Sequence, residues 1–256
     1  MPQMNGGWGM AAAKVRPLAS IGIDGSCYDS PDPGLAVDEQ GWNSDHPIFE
    51  QVLRRHRPAL VCEIGTWKGA SVLHMHALAR ALGLDTHFIC IDTWLGSNDT
   101  FWLEPDFRPL LRLSRGYPDV FRQFVRNVVA RGAQDDISPF PITSTAAARV
   151  LAKLGVRFDA LYIDGGHEEE EVYHDLALYY DLVAEGGAIF GDDYAPSWPG
   201  VVRAVDRFCH EKNLSLEAGA NKFYFVKRPA LTRAILKPAR SVVRLARAAI
   251  RGGRRA

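Results

Sequence analysis

Val61-Cys62-Glu63-Ile64-Gly65-Thr66-Trp67-Lys68-Gly69-Ala70-Ser71 is the stretch on which the fold turns. Residues 60–64 form a short apolar run broken only by Glu63. Residues 70–82 have the length and composition of a helix, closed by Gly83. Between them, Gly65 and Gly69 stand where a strand must turn sharply into a helix. Such a turn lets a ligand approach the backbone and presents it with the positive end of the helix. The spacing E-x-G-x-x-x-G is not the G-x-G-x-x-G of dinucleotide sites.

Outward from this loop, strands and helices alternate. A helix is expected over 45–56, with Asp45 as N-cap and Pro47 in its first turn. After the loop come a strand over 87–91 ending at Asp92, a helix over 118–130 and a proline-broken strand over 137–143. They are followed by a helix over 145–154, a strand over 158–163 ending at Asp164 and a helix over 168–183 stopped by Gly186-Gly187. A strand over 188–190 then ends at Asp192-Asp193, a helix spans 199–212, and 214–218 with 223–226 make a closing hairpin. Apolar strands alternating with helices predict an α/β fold with a mainly parallel sheet covered on both faces. Ligands of such sheets bind beyond the carboxyl ends of the strands. Here those ends carry Glu63, Asp92, Asp164 and Asp192-Asp193. The glycine loop followed by a strand-end acid points to a nucleoside-type ligand whose ribose hydroxyls Asp92 accepts.

On these residues the chain resembles the class I S-adenosylmethionine-dependent methyltransferases, over about residues 60–226. More narrowly, it is similar to the metal-dependent O-methyltransferases of small molecules and sugars, the catechol, macrocin and cephalosporin-pathway types. The resemblance implies a Rossmann-like seven-stranded sheet, mostly parallel, with an antiparallel last strand. It also implies S-adenosyl-L-methionine as cofactor, held by Glu63, Gly65, Gly69, Ser71, Asp92, Ser144 and Asp164. Gly65 and Gly69 would line the methionine part, Ser71 would meet its carboxylate, and Ser144 would lie beside the adenine.

Neighbouring strand ends bring Asp164 close to Asp192 and Asp193. Three adjacent carboxylates repel unless a cation compensates them, and a hard divalent ion such as Mg²⁺ suits carboxylate oxygens. The resemblance implies Asp164, Asp192 and Asp193 as metal ligands and His167 as the base that takes the acceptor's proton. A histidine is suited to that task at neutral pH. Asp and Gly at strand ends also serve as turn formers and helix caps, so each position alone leaves both readings open. The segment between Asp92 and Pro118 has the length of a binding loop. Its Trp94, Phe101, Trp102 and Tyr117 are candidates to stack on an acceptor, with Trp42 and Trp198 behind them.

The composition is that of a soluble globular protein, 47% apolar and 23% charged. Neither a membrane-spanning run nor the apolar core of a signal peptide stands out. The scattered Cys27, Cys62, Cys90 and Cys209 fit a cytoplasmic protein better than a thiolate metal site. The zero net charge hides an asymmetry: positions 227–256 carry ten Lys or Arg and no acid, leaving 20 basic against 30 acidic residues before them. Arg233, Lys237, Arg240, Arg244, Arg247 and Arg251 fall on one helical stripe. Three segments result: an irregular arm over 1–44, a methyltransferase domain over 45–228 and a basic amphipathic tail over 229–256. The tail, over 231–255, suits peripheral contact with an anionic inner-membrane surface or with a second subunit of a homo-oligomer. Segregation of the basic residues at one end speaks against a nucleic-acid partner.

The function expected is S-adenosylmethionine-dependent methyl transfer to a hydroxyl of a small molecule or glycan, assisted by the metal. The alternatives are a nicotinamide-dependent oxidoreductase and a non-catalytic nucleoside-binding module.

Overall fold

The computed structural model describes residues 16–96 and 99–229. Seven strands form one sheet: β1 (Leu60–Ile64), β2 (His87–Asp92), β3 (Ile137–Pro141), β4 (Phe158–Ile163), β5 (Val183–Gly191), β6 (Glu217–Gly219) and β7 (Lys222–Val226). Their order is β3-β2-β1-β4-β5-β7-β6. β3, β2, β1, β4 and β5 run parallel, whereas β7 is antiparallel to both β5 and β6. The expected sheet is therefore present, with its antiparallel strand inserted between β5 and a short edge strand.

Among the described residues seven α-helices accompany the strands: α1 (Ile48–His56) before β1, then α2 (Ala70–Ala81), α3 (Asp99–Leu103), α4 (Val120–Ala130), α5 (Ser144–Leu154), α6 (Glu169–Tyr180) and α7 (Pro199–Lys212). The strands are apolar on both sides because both faces are covered. On one face Phe49, Val72, Phe124 and Val128 of α1, α2 and α4 pack on Val61, Phe88 and Tyr162. On the other, Leu151, Leu176, Val205 and Phe208 of α5, α6 and α7 pack on Cys62, Ile89, Leu161 and Ile189. The order reverses between β1 and β4, so the carboxyl ends of these two strands open a crevice.

Several boundaries differ from the sequence expectation for physical reasons. The prolines of β3 are accommodated because β3 is an edge strand bonded only to β2. Helix α1 starts at Ile48, not Asp45, and the Ile48 N–H donates to Nδ1 of His46 at 3.1 Å. Gly186 and Gly187 do not stop a helix: they lie inside β5, which begins at Val183. Gly186 has φ +78°, and pairing with β4 shifts register between Phe158 and Ala160. These glycines thus mark an irregularity where two strands come together closely.

The arm is irregular over its described part but firmly docked. Arg16 donates to the carbonyl of Gln134 at 2.6 Å, and Lys68 of the glycine loop is buried against Asp38 at 2.6 Å. Gln40 accepts the indole N–H of Trp67 at 3.1 Å. Among the described residues no helix is long and apolar enough to cross a membrane. The basic stripe of the tail lies outside the described residues.

The paired glycines of β5 give a stability test far from the crevice. A Cβ on Gly187 would stand 2.8 Å from the carbonyl oxygen of Asp159, whereas one on Gly186 would meet nothing within 4 Å. Gly187→Ala should lower unfolding free energy by about 2–3 kcal/mol in urea titrations, through overpacking against backbone. Gly186→Ala should cost only about 1 kcal/mol, from its positive φ alone.

Candidate active site

The glycine loop is built by constraint from both sides. At Gly65, φ is +81° and a Cβ would stand 1.9 Å from the carbonyl oxygen of Asp164. The end of β4 therefore demands glycine there before any ligand arrives. Gly69, at φ +90°, opens α2, and a Cβ would press on the Phe124 ring at 3.1 Å. Between them Trp67 itself holds φ +52°. That left-handed residue is kept in place by its neighbours: its N–H donates to Asp92 Oδ2 at 2.8 Å and its carbonyl accepts the indole N–H of Trp94 at 2.7 Å.

Asp92 is the clasp of the loop. Its Oδ2 also accepts the Thr66 N–H at 2.9 Å, and its Oδ1 accepts the Trp94 N–H at 2.7 Å. At least three of its roughly four acceptor positions are thus used by backbone. Burial raises its pKa, against which these hydrogen bonds act. Glu63 is buried behind the loop, with the Ser71 hydroxyl donating to Oε1. Burial pushes its carboxyl up to about 8, opposed by Ser71 and reinforced by Asp164 and Asp92. Ser71 is thereby committed to Glu63.

On the neighbouring strand ends, Asp164 accepts from the Tyr162 hydroxyl at 3.1 Å. Burial, then the charge of Asp192, raises it to about 7. Asp192 Oδ2 is paired with the ammonium of Lys222 at 2.6 Å, both side chains buried. Asp192 Oδ1 accepts the N–H of Asp193 at 2.8 Å. Asp193, at φ +59°, reaches back to accept from His167 Nε2 at 2.7 Å. The imidazole also stacks on Trp198, with centroids 4.1 Å apart. Burial disfavours the charged ring, but the Asp193 hydrogen bond and the surrounding carboxylates leave the His167 pKa raised.

These two halves face one cleft of about 340 Å³. Gly65, Thr66, Ser71 and Asp92 line one side, and Asp164, His167, Asp192 and Asp193 another. Trp42, Trp67, Phe101 and Phe107 form an aromatic wall, Trp67 and Phe101 lying 4.6 Å apart. Glu63 and Gly69 support the cleft without lining it. Ser144, expected beside a bound adenine, is not among the lining residues; it opens α5, where its carbonyl accepts the Tyr179 hydroxyl at 2.7 Å. Trp94 is a core residue that holds the loop from behind, and Trp102 and Tyr117 are exposed outside the lining. Trp42 and Trp198, the lesser candidates, do line it.

The expected metal set does not fit this geometry. Each carboxylate is already engaged: Asp192 with Lys222 and the Asp193 N–H, Asp193 with His167, Asp164 with Tyr162. Among the described residues no group of three His, Cys, Asp or Glu side chains is arranged to hold a metal ion. The charge problem anticipated from the sequence is real, and Lys222 relieves it in part from within the chain. Lys222 escaped the sequence reading. Its signal was a lone lysine opening the otherwise apolar run Lys222-Phe223-Tyr224-Phe225-Val226.

A reversing α/β sheet with a glycine loop and a strand-end acid at the crevice defines a nucleoside-cofactor enzyme of Rossmann-like class. The chain belongs to the methyltransferase-domain family, whose model matches residues 62–194. This decides against the nicotinamide alternative. Among solved structures, the O-methyltransferase NovP is similar at a TM-score of 0.56 and 20% identity, over 71% of this chain and 78% of that one. The calicheamicin methyltransferase CalS11 is similar at 0.51 and 17%, over 70% and 77%. At these identities the likeness is one of fold. A curated relative, the uncharacterized protein R132 of Acanthamoeba polyphaga mimivirus, is 42% identical over 60 residues. That match spans 23% of this chain and 27% of R132.

The buried acids make the protein more stable toward lower pH in the neutral range. Glu63 (about 8) and Asp164 (about 7) have folded pKa values above the usual carboxylate range, so the folded state binds more protons than the unfolded one. Stability must then fall as pH rises through these values. His167, also raised, acts in the same sense. Thermal unfolding should give a higher Tm at pH 6.5 than at pH 8.5, and Glu63→Gln, neutral throughout, should reduce that difference. Equal sensitivity to pH in wild type and variant would refute the assignment.

Proposed function

We propose that the protein transfers a methyl group from S-adenosylmethionine to a hydroxyl of a small molecule or sugar, with His167 as general base. One observation carries this reading: the Asp92-clasped glycine loop and the His167–Asp193 pair face the same cleft. Family membership supports methyl transfer. The fold likeness to NovP, named an O-methyltransferase, is compatible with oxygen as the acceptor atom.

When bound, S-adenosylmethionine supplies a sulfonium methyl that leaves its sulfur as the acceptor oxygen bonds to it. Gly65 and Thr66 offer the backbone surface for its amino-acid end. Asp92, largely occupied by the loop, retains limited acceptor capacity for a ribose hydroxyl. Asp193 fixes the tautomer of His167: with Nε2–H donated to the carboxylate, Nδ1 is the nitrogen that accepts a proton. Asp193 also stabilises the imidazolium that forms, as the orienting acid of a catalytic triad does. The wall of Trp42, Trp67, Phe101 and Phe107 suits the flat face of an aromatic or sugar ring. No step of this reaction is assigned to a metal. Contact of segment 231–255 with an anionic membrane rests on charge alone. Flotation with anionic liposomes should distinguish the full chain from a 1–228 truncation if that contact exists.

The base assignment predicts a pH profile. A base must be neutral to act, so kcat/KM should rise with pH through an inflection above the ordinary histidine value of 6.5. Asp193→Asn removes the main influence that raises His167 and leaves burial, which lowers it. The inflection should therefore move to lower pH while the rate falls. His167→Ala should lower kcat by about 10²–10⁴-fold with cofactor affinity, read by calorimetry with S-adenosylhomocysteine, nearly unchanged. An unaltered profile in Asp193→Asn would refute the pairing.

A further inference from the structure

The sheet topology explains why a lysine stands at the acidic rim. Five strands end there with their carboxyl ends, but β7 runs the other way and begins there. Gly191 pairs with Phe223, so one step further Asp192 stands across from Lys222. The ammonium is buried, 2.6 Å from Asp192 Oδ2, and it donates to the Tyr162 hydroxyl at 2.8 Å. It also lies over the rings of Phe49 and Tyr162, 5.2 and 5.1 Å from their centroids. Tyr162 in turn donates to Asp164. One cation thus serves two of the three rim carboxylates, Asp192 directly and Asp164 through a phenol.

We propose that Lys222 is a resident cation that occupies the electrostatic place of a divalent metal at this rim, so that the site excludes Mg²⁺ and positions its base without it. The positioning runs along a continuous line of contacts. Lys222 holds Asp192, Asp192 accepts the N–H of Asp193, and Asp193 holds His167. Lys222 is therefore a positioning residue, acting on the base through two aspartates. To bind Asp192, a metal would have to exchange its water for an oxygen already shared with the ammonium or with the Asp193 N–H, beside a fixed positive charge. Mg²⁺ surrenders its water reluctantly and demands octahedral oxygen geometry, so this exchange is unfavourable. Removal of the ammonium reverses the balance, leaving Asp164 and Asp192 buried and uncompensated, the condition under which carboxylates recruit a hard cation.

The consequence for catalysis rests on the methyl-transfer reading, but the test does not. Mn²⁺ is titrated into the full chain and free ion is followed by electron paramagnetic resonance. The titration is repeated for Lys222→Met, for the double variant Lys222→Met/Asp192→Asn and for Asp192→Asn alone. Wild type should leave Mn²⁺ free. Lys222→Met, with its fold checked by circular dichroism, should bind about one ion per chain, at least about tenfold more tightly than wild type, and the double variant should lose that site. A lysine of purely structural role would create no metal site on removal. The proposal is overturned if wild type binds one Mn²⁺ that Asp192→Asn abolishes, or if folded Lys222→Met binds no more tightly than wild type. Should Lys222→Met fail to fold, Lys222→Gln takes its place under the same two outcomes, and a wild-type site lost in Asp192→Asn still overturns the proposal. Methyl transfer is not read in this experiment, so its outcome and that of the functional reading are independent.

Discussion

Carboxylates brought together at the ends of adjacent strands must each find compensation away from bulk water, and the cleft is organised around that requirement. Glu63 is buried and takes the Ser71 hydroxyl; Asp92 takes backbone N–H groups; Asp164 takes a phenol; Asp192 takes an ammonium. An uncompensated buried charge costs several kcal/mol, comparable with the whole stability of a domain. The loop conformation and the pairing of His167 with Asp193 both follow from how these charges are settled. The raised values of Glu63 and Asp164 indicate that compensation is incomplete, burial being the largest cause for both. Part of the strain is thus held as a tendency to take up protons. A positively charged ligand group near the loop would relieve it, which is compatible with a sulfonium cofactor.

The sheet was legible in the sequence because its strands are buried on both faces and read as nearly continuous apolar runs. Residues 60–64, 87–91 and 158–163 were placed within a residue of β1, β2 and β4. Where local signals compete with tertiary context, the reading failed. Gly186-Gly187 has the look of a helix stop, yet the second glycine is demanded by the carbonyl of Asp159 on the neighbouring strand. Asp45 before Pro47 resembles an N-cap, yet the imidazole of His46 takes that part. Side-chain direction was the weaker link in the site. Trp94 sits beside the strand-end acid in sequence, but its φ of +54° turns the indole inward to brace the loop. Trp42, distant in sequence, is carried into the cleft by an arm whose docking depends on ion pairs such as Lys68–Asp38.

The glycine loop therefore carries two meanings that the sequence cannot separate. Its glycines are compatible with a ligand, but the approach of the Asp164 carbonyl and the Phe124 ring would require them in any case. What distinguishes a binding loop from a mere turn is the fixing of Trp67 in a left-handed conformation by Asp92 and Trp94. A non-glycine residue in that region is held at a cost of about 1–3 kcal/mol and persists only where its surroundings impose it. Here those surroundings present the Trp67 ring to the cleft, against Phe101. The same residue thus closes the glycine loop with its backbone and begins the aromatic wall of the cleft with its side chain.

Three carboxylates at neighbouring strand ends implied a cation, and that inference was sound as electrostatics. On the proposal made above, the chain itself carries that cation, as Lys222. A parallel sheet offers its rim only the last residues of its strands, and here these are acids. A counter-charge on the backbone must therefore come from a loop or from a strand that runs the other way. The reversed β7 supplies it with its first residue, at a register fixed by four consecutive pairs with β5. The antiparallel strand is thus more than a closing element of the fold: it is the route by which a buried ammonium reaches the acids around His167.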